Sequence, residues 1–349
     1  MEHAKARPFV RFLRRLVRVS AYAYPLALLA LCIAFVSIGE RHWLTAGLLY
    51  APRPLFALPL VAVLPALWFM GARKLLWTQL ASLLLILFPL MGLVLPWPAG
   101  TPRGPTLKLL SLNVNSAAVG AERLLALVDE LGPDLVLFQE APWSGALHDG
   151  LRQRFAHFDA STQFLLASRY PILERTEPSS IAIDGEQRSP RFMRYVLDSN
   201  LGKLAAYNLH PISPRGSFGV SSLRGARHQF RKSSLWENEF GAELAHNAAL
   251  REAQVAAVQA MASRETSPVL LAGDTNLPGT SGALHRHLAG YRDGFRSANW
   301  GFGYTFPASR PFLRLDRVLV SPTLDFAEFQ LGCRGVSDHL CVVARLFRP

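Results

Sequence analysis

Carboxylates, amides and imidazoles recur where apolar, strand-like runs of this chain end. Gln139-Glu140 follows Leu135-Val136-Leu137-Phe138, and Asn208-Leu209-His210-Pro211 closes a second run. Gly273-Asp274-Thr275-Asn276 follows Val269-Leu270-Leu271, and Ser337-Asp338-His339 precedes the last run. Such side chains at the tips of buried strands can converge on one metal ion and one phosphate, which the same residues scattered over helices could not. Hydrolysis of a phosphate ester asks for a Lewis acid on the phosphoryl oxygen, an activated water and neutralisation of transition-state charge. The residue types match that chemistry.

Glu140 is the best candidate for the principal Mg²⁺ ligand, because a hard cation prefers carboxylate oxygens and keeps several waters. Mn²⁺ is the alternative. Asn113, at the end of the first strand, adds an amide oxygen to the cation or holds Glu140 in place. Asp274 and Asn276 share one loop, where the carboxylate activates water and the amide donates to a phosphate oxygen. Asp316 lies in Leu315-Asp316-Arg317-Val318, an acid inside an apolar strand, and a buried carboxylate needs a partner. It is expected to orient His339 and raise its basicity, while Asp338 faces the metal. His210 binds or protonates the phosphate from the opposite side. Taken singly these motifs have bland readings: Gly-Asp-x-Asn is a plain turn with an Asx cap, and a lone His before Pro211 is a loop residue. Their joint occurrence in this order, each beside an apolar run, favours a site.

The elements that must position them follow from periodicity. Leu107 to Val114 reads as a first buried strand, Ala121 to Leu131 as an amphipathic helix closed by Gly132-Pro133, and Asp134 to Phe138 as the second strand. A helical stretch from Trp143 to Phe155 precedes short strands at Gln163 to Ala167, Ile172 to Arg175, Ser179 to Ile183, Phe192 to Leu197 and Lys203 to Leu209. Glu243 to Met261 is a long helix. Strands follow at Val269 to Ala272, Leu315 to Val320 and Leu340 to Phe347. Many strands with a few helices predict two stacked sheets flanked by helices. Ile212 to Asn238 lacks periodicity and carries Arg215, Arg224, Arg227, His228, Arg231 and Lys232 with Phe218, Phe230 and Trp236 interleaved. It reads either as a solvated loop or as a lid for anionic headgroups or a polyanion.

Half of the 349 residues are hydrophobic, and the excess is concentrated before residue 98. Apolar stretches run from Ser20 to Ile38, Leu55 to Met70 and Leu75 to Trp97, and a spanning helix needs about 20 residues. The middle stretch is short and contains Pro59 and Pro65. Extending it to Pro52 buries Arg53 unless that side chain snorkels. A cleaved signal peptide would show one apolar run, not three. Lys5, Arg7, Arg11, Arg14, Arg15 and Arg18 precede the first stretch and Arg73 and Lys74 precede the third, so the positive-inside rule puts both on the cytoplasmic side. Three crossings then deliver the remainder to the outer face of the cell inner (plasma) membrane, the periplasm in a bacterium. Residues 1–96 account for +8 of the net charge of +12, so the basic balance reflects topology more than nucleic-acid affinity. The expected organisation is a membrane domain at 1–98, a Pro/Gly linker at 99–106 and a catalytic domain at 107–349. Cys333 and Cys341 pair only if two late strands bring them close.

Asn113, Gln139-Glu140, His210, Gly273-Asp274-Thr275-Asn276, Leu315-Asp316-Arg317 and Ser337-Asp338-His339 together resemble the signature of the endonuclease/exonuclease/phosphatase superfamily. DNase I-like nucleases, inositol polyphosphate 5-phosphatases and neutral sphingomyelinases belong to it. The resemblance covers Leu107 to the C-terminus, and Ser168-Arg169-Tyr170-Pro171 and Thr305-Phe306-Pro307 also match family turns. It implies a four-layered α/β sandwich of the DNase I-like kind and divalent-metal hydrolysis of phosphoesters. Two departures stand out. Asn115 replaces an acid found two residues after the first Asn in several nucleases, which points to one metal, and Phe306 stands where Trp is frequent. The layout of three spans and an exported domain is similar to bacterial membrane-anchored members. Three functions compete: a phosphatase or phosphodiesterase on a lipid-linked or other membrane-proximal phosphate, an exported endo- or exonuclease, and a silent binding module. The third would not need all the polar tips at once.

Overall fold

The computed structural model describes residues 2–215 and 238–349. The basic and aromatic residues from Phe218 to Trp236 singled out above lie outside them.

Fourteen strands are present among the described residues: β1 (Thr106–Asn113), β2 (Leu135–Gln139), β3 (His157–Ser161), β4 (Phe164–Ser168), β5 (Ile172–Thr176), β6 (Ile181–Ile183), β7 (Glu186–Arg188), β8 (Phe192–Ser199), β9 (Gly202–Leu209), β10 (Val269–Asp274), β11 (Arg292–Asp293), β12 (Asp316–Val320), β13 (Asp325–Gly332) and β14 (Cys341–Phe347). One six-stranded sheet has the order β13-β14-β1-β2-β4-β3 and the other β11-β12-β10-β9-β8-β5. Each carries a single parallel pair at its centre, β1 with β2 and β9 with β10. Parallel strands are buried on both faces and so read as continuous apolar runs, which is why these four strands stand out in the sequence.

The sheets stack face to face over a core built from Leu107, Leu109, Leu135 and Leu137 of one and Leu204, Ala206, Leu270 and Val318 of the other. The outer face of the first sheet is covered by the helices Ala121–Leu131 and Ala146–Arg154, which bury Leu124, Val128, Leu147 and Leu151 on it. Leu124, Leu127 and Val128 recur at helical spacing, and Gly132 at φ +54° ends that helix. The helices Asn238–Ala262 and Gly282–Leu288 cover the second sheet through Val255, Val258 and Leu288. The result is the four-layered α/β sandwich expected from the sequence.

Some elements depart from the reading. Ser179 to Ile183 is not a strand of either sheet, because β6 pairs only with β7 in a separate hairpin. Asp325–Gly332 is a strand that the residue pattern does not reveal. Phe326 and Phe329 both face the core, and a bulge between Phe326 and Glu328 breaks the alternation that would have revealed it. Cys333 and Cys341 are disulfide-bonded, brought close because Gly332 pairs with Cys341 across β13 and β14.

In the N-terminal part, a helix covers Glu2–Ser37. Two segments are long and apolar enough to cross a membrane, Pro8–Ser37 and Arg73–Leu90, and Trp43–Tyr50 with Arg53–Phe69 makes a third only as a pair bent by 99°. The two long segments run parallel: the Gln79 amide donates to the Ala21 carbonyl at 3.0 Å, and Phe35 packs with Ile86 and Leu90 at the other end. Arg53 is buried rather than snorkelling, with its guanidinium donating to the Leu49 carbonyl and lying 5.6 Å from the Phe35 ring centre. Leu26, Ile33, Val61, Phe69 and Trp77 expose their side chains to the surroundings.

Candidate active site

Strand register gathers the polar tips at one edge of the sandwich. Asn113 pairs with Gln139 at the end of the β1/β2 ladder, which sends Glu140 out beyond it. In the second sheet Asp274 lies directly opposite Asp316, and Gly273 opposite Leu209 places His210 beside them. Gly273 is at φ +141°, and a Cβ there would fall 2.1 Å from the Leu209 carbonyl oxygen. Only glycine lets β10 approach β9 this closely.

The two sheets are tied just beneath the site. Gln139 donates to the Asn208 amide oxygen at 2.7 Å, and Asn208 donates to the Phe138 and Leu165 carbonyls at 3.0 and 3.2 Å. Both side chains are buried, so leaving either unpaired would be costly. Thr305 Oγ1 accepts from the Leu315 and Asp316 N–H groups at 3.1 and 3.2 Å. The Ser337 hydroxyl donates to the Asn113 carbonyl at 2.6 Å.

Asp274 Oδ2 is the hub. Asn113 Nδ2 donates to it at 3.2 Å, and His210 Nε2 and His339 Nε2 lie 3.6 and 3.7 Å away. Asn113 Nδ2 also donates to Glu140 Oε1 at 3.1 Å, while Asn113 Oδ1 accepts from the Asn115 N–H at 3.0 Å. Asn113 is thus hydrogen-bonded to Glu140, as one of its two expected roles requires. Glu140 Oε1 lies 3.3 Å from His210 Nε2, and its side chain remains 35% exposed, open to a ligand. Asn276 donates its amide to the Pro211 carbonyl at 2.9 Å, which leaves one amide hydrogen. Asp338 stands at the rim, its Oδ2 3.1 Å from the Arg215 guanidinium. Arg215 lies over the Phe306 ring, which packs on His339 at 4.7 Å between centres.

The imidazoles differ in charge. Burial would push His339 down, but Asp316, which accepts from Nδ1 at 2.9 Å, and Asp274 raise its pKa to about 10. Burial dominates at His210 and lowers it to about 4, against the pull of Asp274. Its Nδ1–H donates to the neutral side-chain amide oxygen of Gln163. Burial also raises the Asp274 carboxyl, and facing Asp316 adds to this. An acid so destabilised as an anion accepts protons readily.

Ligand atoms of Asp274, Asp316 and His339 lie within 4.8 Å of one another. They form a buried acid–imidazole group whose atoms are close enough to hold a metal ion or to pass a proton. Glu140 offers a second position for a cation. There the buried His210 Nε2 has no hydrogen-bond partner and faces two carboxylates, a donor set that fits a hard divalent ion.

Two residues near the site were missed by the sequence reading. Gln163 fixes the His210 ring, and Arg191 accepts the His210 N–H at 3.1 Å through its carbonyl. Burial holds the Arg191 guanidinium below the usual arginine range while nearby Glu140 and Asp274 pull it up. Gln163 and Arg191 stand just before β4 and β8, rather than within a motif of acids, amides and imidazoles.

The profile of the Endonuclease/Exonuclease/phosphatase family matches residues 110–339. No curated protein matches the chain. Solved structures with a similar fold include an endonuclease/exonuclease/phosphatase from Beutenbergia cavernae DSM 12333, 17% identical with a TM-score of 0.48 and covering 70% of this chain and 72% of its own. Truncated Caenorhabditis elegans TDP2 is 15% identical with a TM-score of 0.47, over 69% and 97%. The Neisseria 3′ phosphatase NExo bound to product DNA hairpin is 15% identical with a TM-score of 0.48, over 68% and 98%. Members of the family are hydrolases of phosphoesters that use divalent metals, and its profile runs from β1 through His339. The chain therefore belongs to the endonuclease/exonuclease/phosphatase family.

Proposed function

We propose that the protein is a Mg²⁺-dependent (or Mn²⁺-dependent) phosphoester hydrolase, anchored in the membrane by its N-terminal helices, with the sandwich on the outer face. Its substrate in this reading is a lipid-linked or other membrane-proximal phosphate. The observation that carries the reading is the convergence of Asn113, His210 and His339 on the carboxylate of Asp274, with Glu140 beside His210.

Glu140 and Asp338 are assigned as cation ligands, with Asn113 holding Glu140. The bound ion would supply Lewis-acid polarisation of the phosphoryl oxygen. Asp274 takes the proton of the attacking water. Asp316 keeps His339 oriented and positive, so that its Nε2–H meets the charge that builds on the phosphoryl oxygens. Neutral His210, its Nδ1–H held by Gln163, presents its Nε2 lone pair beside Glu140 as a further cation donor, and Asn276 donates its remaining amide hydrogen.

Membrane attachment with three crossings rests on the apolar helices and their charge. Because the two long helices run parallel, Arg11, Arg14, Arg15 and Arg18 share one end of the bundle with Arg73 and Lys74, while the sandwich joins the other. The Cys333–Cys341 disulfide suits an oxidising compartment outside the cytoplasm.

The test offers the purified full chain with Mg²⁺ a phosphatidyl substrate, a polyprenyl phosphate and DNA, beside Asp274→Ala and His339→Ala. Phosphate release from the lipids alone, lost in both variants, is the expected result. Cleavage of DNA alone would make the protein an exported nuclease instead, and activity surviving both substitutions would remove the site.

A further inference from the structure

The short segment between the first two apolar helices reaches the site. The helix Trp43–Tyr50 ends at the sandwich, where the Tyr50 hydroxyl donates to the Asn276 carbonyl at 2.8 Å and Arg251 Nη1 donates to the Tyr50 hydroxyl at 3.3 Å. Arg251 is 1% exposed, and its Nε donates to the Ile212 carbonyl at 2.7 Å. Asn276 in turn bonds to the Pro211 carbonyl. The bonds close a ring that runs from Tyr50 through Asn276, Pro211-Ile212 and Arg251 back to Tyr50. It joins the loop carrying Asp274 to the loop that follows His210. Asn276 sits at φ +50°, a conformation that a non-glycine residue keeps only when its surroundings hold it. Its N–H donates to Asp274 Oδ1 at 2.9 Å, so the placement of Asn276 is transmitted to the hub carboxylate.

The contact is part of a fitted seam. Arg41 pairs with Glu252 at 2.8 Å. A Cβ on Gly282 would fall 2.6 Å from the Val36 carbonyl oxygen, so the end of the first helix lies directly on the helix Gly282–Leu288.

We propose that Tyr50 is a positioning residue for the phosphoester site, so that the site is completed by the N-terminal segment that docks against it. This rests on the function proposed above. The anchor does more than tether the sandwich: its helix Trp43–Tyr50 sets the geometry of Asp274 and Asn276. Removing one hydroxyl would leave the Asn276 carbonyl and Arg251 Nη1 short of a partner and loosen both loops at once.

The experiment compares full-length wild type, Tyr50→Phe and Tyr24→Phe in detergent. The Tyr24 hydroxyl donates to the Phe56 carbonyl among the apolar helices, so its variant makes the same chemical cut away from the site. Amide hydrogen exchange at Asn276 and Leu277 is read beside kcat and KM for bis(p-nitrophenyl) phosphate with Mg²⁺. Tyr50→Phe is expected to speed exchange at these amides at least about tenfold and to lower kcat about tenfold or more with KM changed less than about twofold. Tyr24→Phe should leave all three unchanged. Unaltered exchange in Tyr50→Phe, or an equal fall of kcat in the two variants, would overturn the proposal. Wild type inert toward the probe would count against the proposed function, and the exchange data would still decide the role of Tyr50.

Discussion

His210 and His339 face the same oxygen of Asp274 from 3.6 and 3.7 Å, and both are buried, yet one is held neutral and the other charged. The shared carboxylate cannot explain the divergence. The partner at the far nitrogen does: Asp316 presents a carboxylate to His339 and raises it, whereas Gln163 offers His210 only an amide dipole. Second partners, set by β12 and by the turn before β4, therefore assign the two rings their different tasks. Two titratable groups pushed apart by their surroundings are a recurrent mark of acid-base sites.

The contrast can be broken from its centre outward. Asp274→Asn removes the carboxylate that both rings face and should lower kcat about 10⁴-fold, the upper range for loss of a general base, with the fold retained by circular dichroism. Asp316→Asn turns the partner of His339 into an amide like that of His210, and a fall of about 10²- to 10³-fold is expected. In that variant the His339 pKa, followed by NMR, should drop well below about 10. A ring that stays charged would show that Asp316 is not what holds it.

Gly273→Ala tests the backbone beneath the pair. Its Cβ meets the Leu209 carbonyl, so a loss of at least about 1 kcal/mol in denaturant unfolding is expected. Gln163→Leu frees His210 to turn and should cost about tenfold in kcat/KM, with less effect on stability than Gly273→Ala. The smallest effect is a pH dependence, measured with a chelator present. His339 has its folded pKa raised from 6.5 to about 10, so the stability it contributes is full below about 6.5 and is lost as pH rises through 10. The difference in Tm between wild type and His339→Gln should shrink over that window. His210, lowered to about 4, acts in the opposite sense and loses stability as pH falls from about 6.5 towards 4. A His339 difference that grows with pH would reverse the assignment.

Much of this site could be read in the chain because its residues sit where β2, β9 and β10 end, and a buried strand announces itself as an apolar run. Glu140, His210 and Asp274 were legible for that reason, as was the stacking of two sheets. Asp316 stood out as an acid within Leu315-Asp316-Arg317-Val318. Gln163, Arg191 and Tyr50 did not stand out, because each reaches the site through tertiary contacts that no local spacing encodes. The strand Asp325–Gly332 was hidden by its bulge. The middle apolar stretch was legible as apolar, but not the helix Trp43–Tyr50 that precedes it across a 99° bend and carries Tyr50 to the sandwich.

The central claim is that these strand tips form one phosphoester site. Its most direct test is the rate of Mg²⁺-dependent hydrolysis of bis(p-nitrophenyl) phosphate by the full chain, before and after Asp274→Asn. The expected result is turnover that stops with chelation, returns with Mg²⁺ or Mn²⁺, and falls about 10⁴-fold in the variant. Turnover of equal rate in a folded Asp274→Asn protein would contradict it.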